Sequence, residues 1–306
     1  HLGLGESVVA VAFPAGCAMA SSFDRELMEN IGKTLGEECQ AEDLSVLLGP
    51  AINIKRNPLC GRNFEYFSED PYLTGEMPAA HINGVQSWNV GTSVKHFALN
   101  SQEYNRMSVS SEVDERTMRE IYLPGFETAV KKAQPKTIMC AYNKVNGTYC
   151  AENKKLLTDI LRKEWGFEGY VVTDWGAIAN RVKGIQAGLD LEMPGSNGEN
   201  DARIVEAVKN GELDEILLDQ TVENILNVIL FYTEHRHPEA VFDREADHVK
   251  SVTAAKECAV LMKNENVLPI SSDKKVVYIG GFAKSPRYQG GGSSHIHSGR
   301  VTSAYD

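Results

Sequence analysis

No run of eighteen apolar residues occurs in this 306-residue sequence, so no segment reads as a membrane-spanning helix. Basic charge is scarce: 31 Lys and Arg stand against 42 Asp and Glu, a formal net charge of −11. A chain this acidic, with no basic cluster to offset it, repels phosphate backbones, which argues against nucleic-acid binding. The six cysteines (Cys17, Cys39, Cys60, Cys140, Cys150 and Cys258) form no CxxC pair and no metal-ligand spacing. That scatter predicts reduced thiols and a cytoplasmic rather than a secreted protein. Two further absences bear on cofactors: there is no early GxGxxG, and the glycine-rich Gly290–Ser294 run lacks a GK[ST] ending. Neither a dinucleotide site nor a phosphate loop is expected, and no cofactor. The HxH pairs His235/His237 and His295/His297 have no carboxylate or Cys at ligand spacing, so no metal site is expected either. No initiator methionine or signal-like stretch precedes His1, and both ends read as cut edges of a larger protein, which makes the lack of a targeting segment weak information.

What is present is an ordinary globular balance, 42% hydrophobic and 24% charged, at a length that suits two domains. Strand-like runs at Val8–Ala12, Leu44–Leu48, Thr92–Phe97, Thr137–Tyr142, Tyr170–Thr173 and Leu189–Met193 alternate with helical patterns. Helices are expected over Asp24–Gln40, Asp114–Ala133 with a kink at Pro124, Asn153–Trp165 stopped by Gly166, and Leu213–His235. Ser68-Glu69-Asp70-Pro71 reads as the opening of another. This alternation predicts an α/β fold, a (β/α)8 TIM-type barrel over residues 1–235 whose first strand is missing from the chain. Residues 236–250 read as a linker after the polar Glu234–Pro238 stretch. A helix Arg244–Lys263, a strand Val276–Ile279 and Gly280-Gly281 then suggest that 251–306 begins an α/β sandwich.

In a parallel barrel, chemistry gathers where strands end. Asp174 follows the apolar Tyr170–Thr173 run directly. A carboxylate there is desolvated unless cations or donors compensate it, and Arg62 and Lys95 stand on other strand ends. It can serve as a nucleophile, or cap the next helix. Lys95-His96 fits a cationic platform for sugar hydroxyls, a Schiff-base lysine or an ion pair at the barrel mouth. Met139 and Tyr142 are open between core and site, and Trp175 between core and a stacking wall for a sugar. The Gly290–Ser294 run is either a plain flexible loop or one bending over a neighbouring pocket.

Taken together and in order, Gly61-Arg62-Asn63-Phe64-Glu65, Phe67–Pro71, Lys95-His96-Phe97, Met139–Asn143, Thr173-Asp174-Trp175 and Asp190–Pro194 resemble the family-three glycoside hydrolases, in their β-glucosidase branch. The likeness runs across the chain, including Lys263-Asn264-Glu265, Leu268-Pro269 and the Gly290–Ser294 loop. It implies a retaining, exo-acting β-glucosidase with Asp174 as nucleophile. Arg62, Lys95 and His96 would hydrogen-bond the terminal sugar, Met139 and Tyr142 would adjoin the nucleophile, and Trp175 would form a subsite wall. Lys95-His96-Phe97 continues Ala98–Glu103 without the His and Asp of the N-acetylglucosaminidase branch, which disfavours that branch. The resemblance places the acid/base glutamate beyond this chain, and an Asp-Gly-Pro sugar-binding motif before it. The chain alone is therefore expected to be close to inactive. A β-xylosidase or α-arabinofuranosidase, and a glycoside phosphorylase, are the alternatives within the family. A β-glucoside or oligosaccharide is the expected partner, with homo-oligomerisation left open.

Overall fold

The computed structural model describes residues 8–289 and 291–306. Its centre is a parallel sheet of four strands lying side by side in chain order: Val46–Leu47, Gly91–Phe97, Thr137–Cys140 and Tyr170–Thr173. Parallel neighbours need long crossovers, and helices supply them. Pro71–Gln86 links the first pair, Pro124–Ala133 the second and Lys155–Glu164 the third. Every residue of Gly91–Phe97 and Thr137–Cys140 is buried, as strands covered on both faces must be. The arrangement is that of a (β/α) barrel wall. Among the described residues the strands form an arc rather than a closed ring.

Local chemistry sets the helix starts. The Asp24 carboxylate accepts from the N–H groups of Glu26 and Leu27 at 2.8 and 3.1 Å and opens Arg25–Ala41. Asp70 does the same for Pro71–Gln86, whose first residue is a proline that has no N–H to satisfy. These two helices pack backbone to backbone. A Cβ on Gly32 would lie 2.3 Å from the His81 carbonyl oxygen, and one on Gly84 would lie 2.1 Å from that of Glu29. Behind the sheet, Phe97 meets Phe126 and Trp165 edge-on at 5.1 and 5.9 Å, over the buried Leu156, Leu157, Ile160 and Leu161. Each such aliphatic side chain contributes about 1.5–3 kcal/mol on burial.

Several expectations need correction. Leu189–Met193 is not a strand: it makes one bridge, Leu191 to Val172, because the buried Asp190 carboxylate takes the Val171 N–H at 2.6 Å. Val8–Ala12 shrinks to Val9–Ala10 and pairs with His297–Ser298 instead of joining the barrel sheet. Asp114–Ala133 is three pieces, Glu115–Thr117, a wider π-type turn over Met118–Tyr122 and Pro124–Ala133, with Pro124 starting the last. The helix expected over Arg244–Lys263 ends at Glu257. Val276–Ile279 is no strand, for no described segment pairs with it and its side chains lie exposed. Helices Arg181–Ala187 and Glu199–Lys209 and the small ribbon of Ser110–Ser111, Lys144–Val145 and Thr148–Tyr149 were not foreseen.

The segment after the barrel is tied back to it. Helix Arg244–Glu257 begins inside the expected linker and crosses position 250. Its Ser251 hydroxyl donates to the Ala12 carbonyl at 2.7 Å, and its Lys250 ammonium to the Thr34 hydroxyl at 3.2 Å. With the Val9–Ala10 and His297–Ser298 pairing, this anchors the chain on either side of the Gly291–Ser294 loop.

Candidate active site

Asp174 stands one residue past the Tyr170–Thr173 strand, with its backbone clamped from below. Thr173 N–H donates to the Leu191 carbonyl at 3.0 Å, and the Thr173 hydroxyl accepts from Met193 N–H at 2.8 Å. Gly176, at φ +78°, turns the chain so that its N–H reaches the Met193 carbonyl at 3.0 Å. The 190–194 segment thus serves as the support under Asp174. Helix Arg181–Ala187 is capped by Asn180, which excludes the capping alternative for Asp174.

The two oxygens of Asp174 are held differently. Oδ1 accepts from the Trp175 N–H at 2.8 Å and from the Tyr142 hydroxyl at 3.1 Å. Among the described residues Oδ2 has two looser contacts, His96 Nε2 at 3.4 Å and Arg62 Nη1 at 3.9 Å. Burial, reinforced by the charges of Arg62, Lys95 and Arg106, holds the His96 imidazole well below its ordinary range. It is neutral, and its contact with Oδ2 is polar rather than an ion pair. Burial opposes the charge on Arg62, but the Glu65 carboxylate bonded to its Nε overrides that and holds the guanidinium above its usual range.

Lys95 and His96 share a bulge. Val94 pairs with Ile138 and Phe97 with Cys140, so two residues face the single Met139 on the neighbouring strand. An extra residue re-aims side chains, and Lys95 and His96 both line the same cavity. The peptide bond between them is cis. The Lys95 ammonium is buried, which lowers its pKa; Glu65 and Asp174 partly restore it, against Arg62. No carboxylate forms an ion pair with it among the described residues, so the simple ion-pair alternative does not hold.

That cavity, about 550 Å³ in volume, takes Arg62, Lys95, His96, Met139, Tyr142, Asp174 and Trp175 into one wall. Tyr142 donates toward both Asp174 Oδ1 and the Trp175 carbonyl, the latter at 3.0 Å; burial and the Asp174 charge push its phenol up to about 12. Trp175 is half-buried, with its backbone on Asp174. Gly291, Gly292 and Ser294 close one side, so the glycine-rich loop does bend over a pocket; Gly290 lies outside the described residues. Sequence reasoning missed Leu48, Glu103 and Arg106 as wall residues, and gave Phe64 and Glu65 only as parts of a motif. An i,i+3 Glu–Arg pair just past Lys95-His96 was the available signal.

Chemically, the arrangement offers a cavity-lining carboxylate with one loosely held oxygen, three cations and an apolar surface of Met139, Phe64 and Trp175. This suits a polyhydroxylated ligand with an electrophilic carbon. Among the described residues no group of three or more His, Cys, Asp or Glu could hold a metal ion. His235 instead stacks on Phe231 at 4.6 Å and His237 meets Trp88 edge-on at 5.9 Å.

The family model for the glycosyl hydrolase family 3 N terminal domain matches residues 3–228. The thermostable beta-glucosidase B of Acetivibrio thermocellus is 56% identical over 304 residues, covering 99% of this chain and 40% of its own length. An exo-alpha-(1->6)-L-arabinopyranosidase of Bifidobacterium longum is 45% identical over 317 residues, covering 99% and 41%. The structure of beta-glucosidase 3B from Thermotoga neapolitana in complex with glucose superposes with a TM-score of 0.93 at 44% identity, covering 99% of this chain and 44% of that one. The chain spans about two fifths of the length of the curated relatives it matches. On these likenesses and on its parallel βα architecture, the chain belongs to glycosyl hydrolase family 3, through that family's TIM-type N-terminal domain.

Proposed function

We propose that this chain carries the nucleophilic and sugar-gripping part of a retaining, exo-acting β-glucosidase. In this reading Asp174 Oδ2 attacks the anomeric carbon of a terminal β-D-glucosyl residue, the bond to the aglycone oxygen breaks, and water later releases the glycosyl ester. The observation that carries it is the asymmetry of Asp174: Oδ1 accepts from the Trp175 N–H and the Tyr142 hydroxyl, while among the described residues Oδ2 has only the looser approaches of Arg62 and a neutral His96. Lys95 and Arg62 would take the hydroxyls of the sugar and Trp175 its C–H face.

A retaining site needs a second carboxyl group about 5–5.5 Å from the first. The cavity's other carboxylates, Glu65 and Glu103, are each committed to an arginine. The acid/base, as the family resemblance implies, would be a glutamate outside this chain. Without it, turnover of an unactivated glucoside by the chain alone should fall by about 10²–10⁴-fold.

Nuclear magnetic resonance of 2,4-dinitrophenyl β-D-glucoside hydrolysis tests the mechanism, because that leaving group needs no proton donor. β-Glucose as the first-formed anomer supports retention; α-glucose contradicts it. The 45% identity to an arabinopyranosidase favours a pentoside as the second reading. A higher kcat/KM on the corresponding aryl arabinoside or xyloside would decide for it, and a requirement for phosphate would decide for phosphorolysis.

A further inference from the structure

We infer that Glu103 is a positioning residue for Asp174, acting through Arg106 and Tyr142; the inference rests on reading Asp174 as the nucleophile. Glu103 lies in the loop after the Gly91–Phe97 strand, and each of its oxygens has a partner. Oε1 accepts from Asn100 Nδ2 at 3.2 Å, and Oε2 accepts from Arg106 Nη1 at 2.6 Å. Asn100 is buried, and the same amide also donates to the Tyr66 hydroxyl at 3.0 Å, which ties Glu103 to the fully buried Tyr66. Its methylene sits over Gly61, 3.8 Å from where a Cβ there would be. One end of the carboxylate is thus fixed to the core and the other to a cation.

The cation is aimed. The Arg106 guanidinium lies 4.4 Å from the centroid of the Tyr142 ring, over its face. The hydroxyl of that ring shares its one proton between Asp174 Oδ1 at 3.1 Å and the Trp175 carbonyl at 3.0 Å. A positive charge on a phenol face draws electron density from the oxygen, so the O–H becomes a stronger donor, and the contact also fixes the ring's plane. A strong donor on Oδ1 leaves Oδ2 as the oxygen free to attack. As an isolated loop ion pair, Glu103–Arg106 would matter little. As the brace behind Tyr142, it governs how the nucleophile is presented. Glu103→Gln keeps the shape and an acceptor for Asn100, but turns an N–H₂ toward Arg106, donor against donor, and releases the guanidinium from the ring.

The test follows labelling of the protein by 2,4-dinitrophenyl 2-deoxy-2-fluoro-β-D-glucoside, read by intact mass. The Asp174 Oδ2–C1 bond forms, and the C1–O bond breaks with its electron pair leaving on dinitrophenolate. Glu103→Gln is expected to lower the limiting labelling rate about tenfold or more while the half-saturating concentration moves less than about threefold. Tyr142→Phe should do the same, and the double variant should be no slower than Tyr142→Phe alone. Arg106→Met approaches the same contact from the other side and should match Glu103→Gln in limiting rate, which keeps the test open if one variant does not fold. A wild-type limiting rate in Glu103→Gln, or a double variant that loses the product of the two single effects, would overturn the inference while leaving Asp174 in place. Wild-type protein that takes no label at all would overturn the glycosidase reading and this inference with it.

Discussion

The Tyr142 hydroxyl and Asp174 Oδ1 meet at 3.1 Å although 32 residues separate them in sequence. Strand register brings them together. Cys140 pairs with Thr173, so residues 142 and 174 leave adjacent strands on the same end of the sheet. In the proposed mechanism this contact decides which carboxylate oxygen is left to attack.

Tyr142→Phe removes the longer of the two hydrogen bonds on Oδ1 and leaves the Trp175 N–H. Turnover of an activated glucoside should fall about ten- to a hundredfold in kcat with KM little changed, since the bond acts on the nucleophile rather than the sugar. Steady-state kinetics check this. A rise in KM at constant kcat would instead make Tyr142 a sugar contact.

Lys95→Met should weaken glucose binding about tenfold or more, by loss of a charge-assisted hydrogen bond. Burial lowers the Lys95 pKa, so its charge is lost at lower pH than that of an ordinary lysine. Glucose affinity in the unmodified protein should therefore decline, as the pH is raised, sooner than the titration of an ordinary lysine would bring about. Calorimetric titrations from pH 7 to 10 on both proteins should show that decline only where Lys95 is present.

Gly32→Ala places a methyl group 2.3 Å from the His81 carbonyl, between two helices that cannot part without opening the core. A loss of about 1–3 kcal/mol or more is expected, because overpacking there forces a backbone shift. Urea unfolding measures it. An unchanged midpoint would mean that the two helices pack less closely than described.

His81 is buried in that same contact, and burial pushes its imidazole down to about 4 from an ordinary 6.5. The folded state thus holds it neutral while the unfolded chain protonates it, so its stabilising effect is complete above pH 6.5 and is lost as pH falls toward 4. At about 1.4 kcal/mol per pH unit, the loss amounts to roughly 3 kcal/mol. Glu38 acts with the opposite sign: burial raises it to about 7, so its contribution is full below pH 4.5 and is lost as pH rises toward 7. Comparing His81→Gln with wild type at each pH cancels Glu38. The gap between their unfolding free energies should shift in the variant's favour from pH 7 to 4.5, and a constant gap would contradict the assignment.

Much of this was legible because it depends on local rules. Asp24 and Asp70 announce their helices by capping chemistry, and the strands Gly91–Phe97 and Thr137–Cys140 fall on the expected runs Thr92–Phe97 and Thr137–Tyr142. Asp174, Lys95 and Tyr142 could be picked out because strand ends are where a barrel exposes side chains. What stayed hidden depends on distant partners. Leu189–Met193 has a strand's composition, but Asp190 bonds to Arg162, Val171 and Asn224 and turns the segment into a brace. Val276–Ile279 has the composition too, with no described neighbour to pair with. Glu103 and Arg106 read as ordinary loop charges until the fold sets the guanidinium on Tyr142.

The most direct test of the central claim is peptide mapping of the protein after labelling with the fluoroglucoside. A single fluoroglucosyl ester on Asp174, absent from the Asp174→Asn variant, is the result expected. A label on Glu65 or Glu103, or equal labelling of Asp174→Asn, would contradict the assignment of the nucleophile.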